Sequence, residues 1–330
     1  MKGSRNMRRE RQVQEGLVLF GMEWAKLRYR NIVPGTLLIE TIPAGGIFVE
    51  GQDYEVDYES GLIKRMEKST LPDWCKNVFY GVEDFDHTKV DAYENQSFTV
   101  FVSYEYLTEE PEMLHTHLLG KLCPKFWDKL TSEKPVTYVV YGDSISTGAE
   151  STLPEHTYYA RFVEALRETV PGSQITCINK ALGGEESRGG VKRLDEAFAG
   201  LNPDLISISY GMNDQNKGDE TPHFVEPEEY ERNIRSIITA LKERTGADIL
   251  LITPCKPNPK WHWTSGDMDI YAQCMRNIAK EHNLLLADTT ALWQQELDHG
   301  KSSESLLHNN INHPNDYGHS IYAKALCVHI

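Results

Sequence analysis

The chain has 330 residues, and at roughly 150 residues per domain it holds about two domains, which excludes a lone mini-domain. Charged residues make up 25% and apolar ones 40%, mean hydropathy is -0.49, and no apolar run approaches the roughly 18 residues of a membrane span, so the composition is that of a soluble globular protein. Acidic residues outnumber basic ones, 49 to 34, and the formal charge of -15 repels phosphate backbones, which argues against nucleic acid as a partner.

Residues 1–15 begin MKGSRNMRRERQ and lead into neither an apolar segment nor a small-residue cleavage site. They read as a disordered tail, and the protein as cytoplasmic. The six cysteines, Cys75, Cys123, Cys177, Cys255, Cys274 and Cys327, lie far apart without a C-x-x-C pair and read as reduced, mostly buried thiols.

From 16 to 106 the pattern is short and β-like. Phe98, Val100, Val102, Tyr104 and Tyr106 alternate with the residues between them, the period of two of a strand with one face on a core. Leu37 to Glu40, Ile47 to Glu50, Tyr54 to Tyr58 and Leu62 to Arg65 read similarly, broken at Ala44-Gly45-Gly46 and Ser60-Gly61. The expectation is a small all-β, sandwich-like domain. Residues 107 to 135, with Glu109-Glu110-Pro111, one short helix and Ser132-Glu133-Lys134-Pro135, read as a linker.

From 136 to 330 strands and helices alternate. Strand-like runs fall at Thr137 to Tyr141, Ile175 to Ile178, Leu205 to Tyr210, Ile249 to Thr253 and Leu284 to Ala287, with helical spacing between them, as in Tyr230, Ile234, Ile237, Ile238 and Leu241. This predicts an α/β domain with a five-stranded parallel sheet covered on both faces, whose ligands bind beyond the carboxyl ends of the strands.

Four segments sit at those ends. The first strand runs into Gly142-Asp143-Ser144, where a serine can present its hydroxyl at the rim or simply cap a helix. The second leads to Gly183-Gly184, where a glycine N–H can approach a reacting oxygen, although a Gly-Gly is ordinarily a turn. The third ends in Gly211-Met212-Asn213-Asp214, which brings an amide side chain to the rim, and the segment Asn310 to His319 brings back His313.

Together and in this order, the four segments resemble the SGNH (GDSL-type) hydrolase family over Pro135 to the C-terminus. The resemblance implies a flavodoxin-like three-layer α/β/α fold and a serine esterase. On the family's pattern Ser144 is the nucleophile, its own N–H with the Gly184 N–H and the Asn213 amide forms the oxyanion hole, and His313 is the general base. Gly-rich nucleotide signatures and H-E-x-x-H spacing are absent, so the expectation is no cofactor and no metal. His115-Thr116-His117 and His308 read as surface histidines, and Asp84, Asp86 and His87 as a solvated loop of the β-domain. The elbow G-x-S-x-G of α/β-hydrolases is also missing, since Ser146 stands two after Ser144.

One departure matters: the family's acid stands three residues before the histidine, and here that position is Asn310. Three accounts stay open. Asn310 presents a neutral oxygen to the imidazole, Asp316 or Asp214 substitutes for the acid, or the protein has lost activity and only binds carbohydrate. The expectation favours the neutral oxygen, with Asp316 as a helix cap. Two tryptophans after the fourth strand, Trp261 and Trp263, can stack on sugar faces or pack against the β-domain. An N-terminal β-module with a G-M-N-D block resembles carbohydrate acetyl esterases, which implies deacetylation of a xylan-type oligosaccharide. The runner-up is a general short-chain carboxylesterase or lysophospholipase. Expected partners are limited to the ester substrate, with a homo-oligomer compatible and no membrane.

Overall fold

The computed structural model describes residues 7–42, 46–109, 115–218 and 220–330. The first half carries strands β1 (Arg8–Val18), β2 (Ala25–Lys26), β3 (Leu38–Thr41), β4 (Tyr54–Asp57), β5 (Leu62–Arg65) and β6 (Thr99–Thr108). They pair in two antiparallel sheets, ordered β1-β6-β3 and β2-β5-β4. The alternation along β6 sends Val100, Val102, Tyr104 and Tyr106 into a core with Leu17, Leu27, Ile39, Tyr54 and Ile63 from both sheets. On its other face Phe101 joins the core of the second half, so β6 is covered on both sides.

Three expectations are corrected here. Residues 8–15, read as tail, belong to β1, an edge strand of its sheet on which Arg9 and Arg11 are exposed while Glu15 is buried. Ile47 to Glu50 is not a strand; Ile47 is exposed, and only Glu50 makes a bridge, to Tyr54. The stretch read as linker holds α1 (Leu118–Leu122) and α2 (Pro124–Thr131). These helices bury Leu119, Phe126 and Leu130 in the main core, Phe126 and Leu130 standing four apart on one helical face. Residues 1–6, Ala44-Gly45 and Glu110-Pro111 lie outside the described residues.

The second half continues with β7 (Val136–Gly142), α3 (Ser144–Thr147), α4 (Tyr158–Thr169), β8 (Ile175–Asn179), α5 (Ser187–Lys192), α6 (Leu194–Ala197), β9 (Leu205–Ser209) and α7 (Pro227–Thr245). After these come β10 (Asp248–Ile252), α8 (Met268–His282), β11 (Leu285–Ala287), α9 (Thr289–Asp298), α10 (Ser303–Leu306) and α11 (Asp316–Cys327). The five strands are parallel and ordered β11-β10-β9-β7-β8. Helix α7 shows why the helices form. Pro227 opens it with Glu228 and Glu229 in the first turn, Lys242 and Arg244 close it, and Gly246 ends it at φ 62°, while one stripe from Tyr230 to Leu241 is buried. Strand order reverses at β7, so the loop after β7 faces the crevice where such sheets bind ligands.

The two halves share a buried ionic junction. Glu15 of β1 pairs with Lys301, accepts from the Tyr104 hydroxyl at 2.5 Å and receives the Arg28 backbone N–H at 2.7 Å. Arg28 reaches Glu296 at 2.9 Å, which also accepts from the Tyr317 hydroxyl. Gly16 packs so close to α10 that a Cβ there would lie 2.5 Å from the Ser305 carbonyl oxygen. All six cysteines are free thiols; Cys123, Cys255 and Cys274 are buried and the other three partly so. Among the described residues no helix is long and apolar enough to cross a membrane.

Candidate active site

Strand β7 ends at Gly142, where any side chain would collide with the Ser209 carbonyl at 2.3 Å, so only glycine lets the chain turn here. Asp143 then caps α3, its carboxylate accepting from the Ile145 N–H at 3.0 Å. Burial pushes the Asp143 carboxyl up to about 7, with the Ile145 hydrogen bond and the nearby His313 working against that rise. Ser144 follows as the first residue of α3, its hydroxyl 2.8 Å from His313 Nε2.

The loop that returns His313 is shaped by asparagines. The Asn309 side-chain oxygen accepts three successive backbone N–H groups, from Ile311, Asn312 and His313, each at 3.0 Å. Asn310 sits at φ 60° and is buried. Its side-chain oxygen accepts from Asn258 Nδ2 at 2.9 Å and Asn95 Nδ2 at 3.4 Å, and its carbonyl accepts from Asn258 at 3.1 Å. Asn310 therefore braces the loop and does not orient the imidazole, which corrects the expectation placed on it.

The group beside the other ring nitrogen is a carboxylate that sequence reasoning missed. Glu150 Oε1 stands 3.0 Å from His313 Nδ1. The contact falls short of hydrogen-bond geometry, and Nδ1 and Glu150 Oε2 are both buried without a hydrogen-bond partner. The signal that could have found it is an acid in the loop just after the nucleophile's helix, in a chain whose histidine loop lacks one. The other candidate acids are engaged elsewhere. Asp214 accepts the Ser187 N–H and hydroxyl, and burial pushes its carboxyl up to about 6. Asp316 accepts from Thr152 and faces His156 at 2.8 Å, while Asn315, not Asp316, caps α11.

Gly184 adopts φ 72° with open space where a Cβ would stand, and it lines the same cleft as Ser144, Asn213 and His313. Asn213 Nδ2 donates to the Glu185 carbonyl at 2.9 Å, which fixes the amide and leaves its second N–H for another acceptor. Glu185 is itself locked by Arg193 through two 2.5 Å contacts and by the Tyr210 hydroxyl at 2.7 Å. A hydroxyl, an imidazole and an amide with a free N–H, in one cleft that Gly184 also lines, are parts that acyl transfer needs.

The cleft measures about 650 Å³, and the β-domain builds part of its wall with His87, Thr88 and Tyr93. Phe85 forms a short bridge with Trp261: its N–H donates to the Lys260 carbonyl and its carbonyl accepts from the His262 N–H, both at 2.9 Å. Trp261 Nε1 donates to His87 Nδ1 at 3.0 Å, and Trp263 Nε1 donates to Asp86 Oδ1 at 3.1 Å. Trp261 is thus buried in a small core with Phe79, Phe85 and Ile311, the packing role that the sequence left open, whereas Trp263 is only half-buried; both line the cleft. Asp86 and His87 are parts of this joint and not of a solvated loop. Accepting at Nδ1 makes His87 neutral with its proton on Nε2, and burial pulls its pKa down against the raising effect of Asp86.

Residues 140–321 match the model of the GDSL-like Lipase/Acylhydrolase family. An acetylxylan esterase of Geobacillus stearothermophilus is 28% identical over 172 residues, which span 51% of this chain and 78% of that protein. An arylesterase of Vibrio mimicus is 29% identical over 135 residues, 40% of this chain and 62% of that protein. A crystal structure of an acetylxylan esterase from Geobacillus stearothermophilus aligns with a TM-score of 0.49 at 28% identity, covering 58% of this chain and 91% of that one.

Proposed function

Because this chain belongs to the GDSL-like lipase/acylhydrolase family and is a carboxylic ester hydrolase, we propose that it removes acetyl groups from carbohydrate, with an acetylated xylo-oligosaccharide as the model substrate. The observation that carries the catalytic part is the 2.8 Å approach of Ser144 Oγ to His313 Nε2. Ser144 attacks the ester carbonyl as its proton passes to His313 Nε2. The oxyanion is held by the N–H groups of Ser144 and Gly184 and by the Asn213 amide, and His313 then returns the proton to the departing sugar alkoxide. Water repeats the sequence on the acetyl-serine.

The leaving-group side supports a sugar. Trp263 and Tyr93 offer aromatic surface for stacking, and His87 keeps an Nε2–H for a sugar hydroxyl, which pairs apolar faces with a few placed polar groups. The similarity to an acetylxylan esterase agrees with this reading.

The test is hydrolysis of acetyl, butyryl and octanoyl p-nitrophenyl esters beside acetylated xylo-oligosaccharides, with Ser144→Ala as control. Preference for acetyl groups and turnover of the sugar ester support the proposal. Acetyl preference without sugar-ester turnover makes it a general short-chain carboxylesterase, and preference for octanoyl makes it a lipase. Retained activity in Ser144→Ala defeats the catalytic assignment.

A further inference from the structure

We propose that Glu150 is the charge partner of His313, a positioning residue that takes the place of an acid in the histidine's own loop. The inference rests on the Ser144–His313 reading above and adds a third group to it. Glu150 lies six residues after Ser144, and its carboxylate stands 3.0 Å from the ring nitrogen that faces away from the serine. Buried polar atoms without partners are rare in folded proteins and call for an explanation. Here two of them, His313 Nδ1 and Glu150 Oε2, belong to facing side chains. A hydrogen bond from Nδ1 to the carboxylate would satisfy both, and it requires that Nδ1 carry the proton.

The backbone is arranged to hold the acid there. Gly148 (φ 86°) and Glu150 (φ 64°) both adopt left-handed conformations, which turn the chain back after α3. A glutamate in that region is uncommon, and such a residue persists only where its surroundings hold it in place. The upstream side is fixed to the nucleophile's helix, since the Ala149 N–H donates to the Ser144 carbonyl at 3.1 Å. Downstream, the Thr152 N–H donates to Asp316 Oδ1 at 3.0 Å, and the Thr152 hydroxyl donates to the other oxygen of the same carboxylate. Asp316 is the first residue of α11, three after His313. The loop carrying Glu150 is therefore pinned to the element that bears the serine and to the one that follows the histidine.

The role follows from charge. When Ser144 transfers its proton to Nε2 the imidazole becomes a cation, and a carboxylate at Nδ1 stabilises it and fixes the tautomer beforehand. No proton moves to Glu150. Besides Glu150, the titratable groups that face His313 are Asp143, at the junction of β7 and α3, and His319 of α11; Asp143 is buried and hydrogen-bonded to its own helix, and burial keeps His319 neutral.

The experiment compares Glu150→Gln, Glu150→Asp, Ser144→Ala and His313→Ala with the wild-type chain on p-nitrophenyl acetate, with melting curves to check folding. Glu150→Gln should lower kcat by about 10² to 10⁴ with KM changed less than about threefold, by analogy with loss of the charge in a serine-protease triad. Without the carboxylate the acid limb of the kcat/KM profile should move to lower pH, and labelling of Ser144 by a fluorophosphonate should slow in parallel. Glu150→Asp should recover part of the loss. A folded Glu150→Gln with wild-type kcat and an unmoved profile overturns the proposal while leaving the esterase reading intact, provided Ser144→Ala and His313→Ala are inactive. Activity in Ser144→Ala would overturn the reading itself.

Discussion

Replacing Asn310 by aspartate puts back the acid that the SGNH pattern places three residues before the histidine, yet it should not improve catalysis. The side-chain oxygen of Asn310 is directed at the amides of Asn258 and Asn95, and the residue is 1% exposed. A carboxylate there would keep those two donors but bring a charge into a buried site. An effective burial penalty of about 4–5 kcal/mol, offset by the roughly 1 kcal/mol that each of the two existing hydrogen bonds gains on becoming charge-assisted, leaves a net loss of about 2–3 kcal/mol. Asn310→Ala removes one acceptor from each of two buried amides that keep carbonyl acceptors, about 0.5–1.5 kcal/mol each, and adds about 1 kcal/mol for alanine at φ 60°, so about 2–4 kcal/mol in all. Asn310→Gly should be about 1 kcal/mol milder than Asn310→Ala, which isolates the backbone contribution. Urea or thermal denaturation gives the energies, and ester hydrolysis gives the rest: kcat of Asn310→Asp should stay within about threefold of wild type. A tenfold gain in kcat, or rescue of Glu150→Gln by Asn310→Asp, would mean that a carboxylate at this position reaches the imidazole and would refute the bracing role.

Asn213→Ala should lower kcat by about 10² to 10³ with KM little changed, read from steady-state kinetics; a loss confined to KM would make Asn213 a substrate-binding residue. His319 is buried against Tyr158, and burial brings its pKa down to about 4, so it contributes stability that is present above about pH 6.5 and lost as pH falls toward 4. His319→Phe should therefore gain on wild type by about 2 kcal/mol between pH 7 and pH 5 in denaturant titrations, and a pH-independent difference would count against it. Lys301→Met leaves Glu15 without its cation at the junction of the two halves and should cost about 3–5 kcal/mol, with both halves melting in one transition; two separated transitions would show them to be independent.

The parallel sheet was legible because its central strands are buried on both faces and punctuated by glycine and polar turns; Leu205 to Ser209 is buried at every position and reads as a continuous run. Strand β1 was not, because an edge strand keeps charged residues on its open side, and RRERQVQEGLV then looks like a tail. Its Glu15 and the distant Lys301 look like solvated surface charges until the fold buries them against each other. The four blocks carrying Ser144, Gly184, Asn213 and His313 were legible as local motifs at strand ends. Glu150 was not, since no spacing within one segment links it to His313; only the turn through Gly148 and the anchor from Thr152 to Asp316 bring the two together.

The asparagine at position 310 and the displaced acid are two aspects of one exchange. Asn95, from the β-domain, donates through one amide to the carbonyls of Glu304 and Leu307 and to the Asn310 side chain, and its own N–H donates to the His308 carbonyl at 2.6 Å. The histidine loop is thus where the two halves meet, and its neutral amides suit a dry interface in which a carboxylate serving the imidazole would have to be both buried and shared. Moving the charge to Glu150 places it on the partly exposed side, in the loop after the nucleophile, where it can face the imidazole without entering that interface. The β-domain can then pack directly on the histidine loop and reach past it to wall the cleft with His87, Thr88 and Tyr93. The same contacts that hold the base in register therefore also set what can approach the serine.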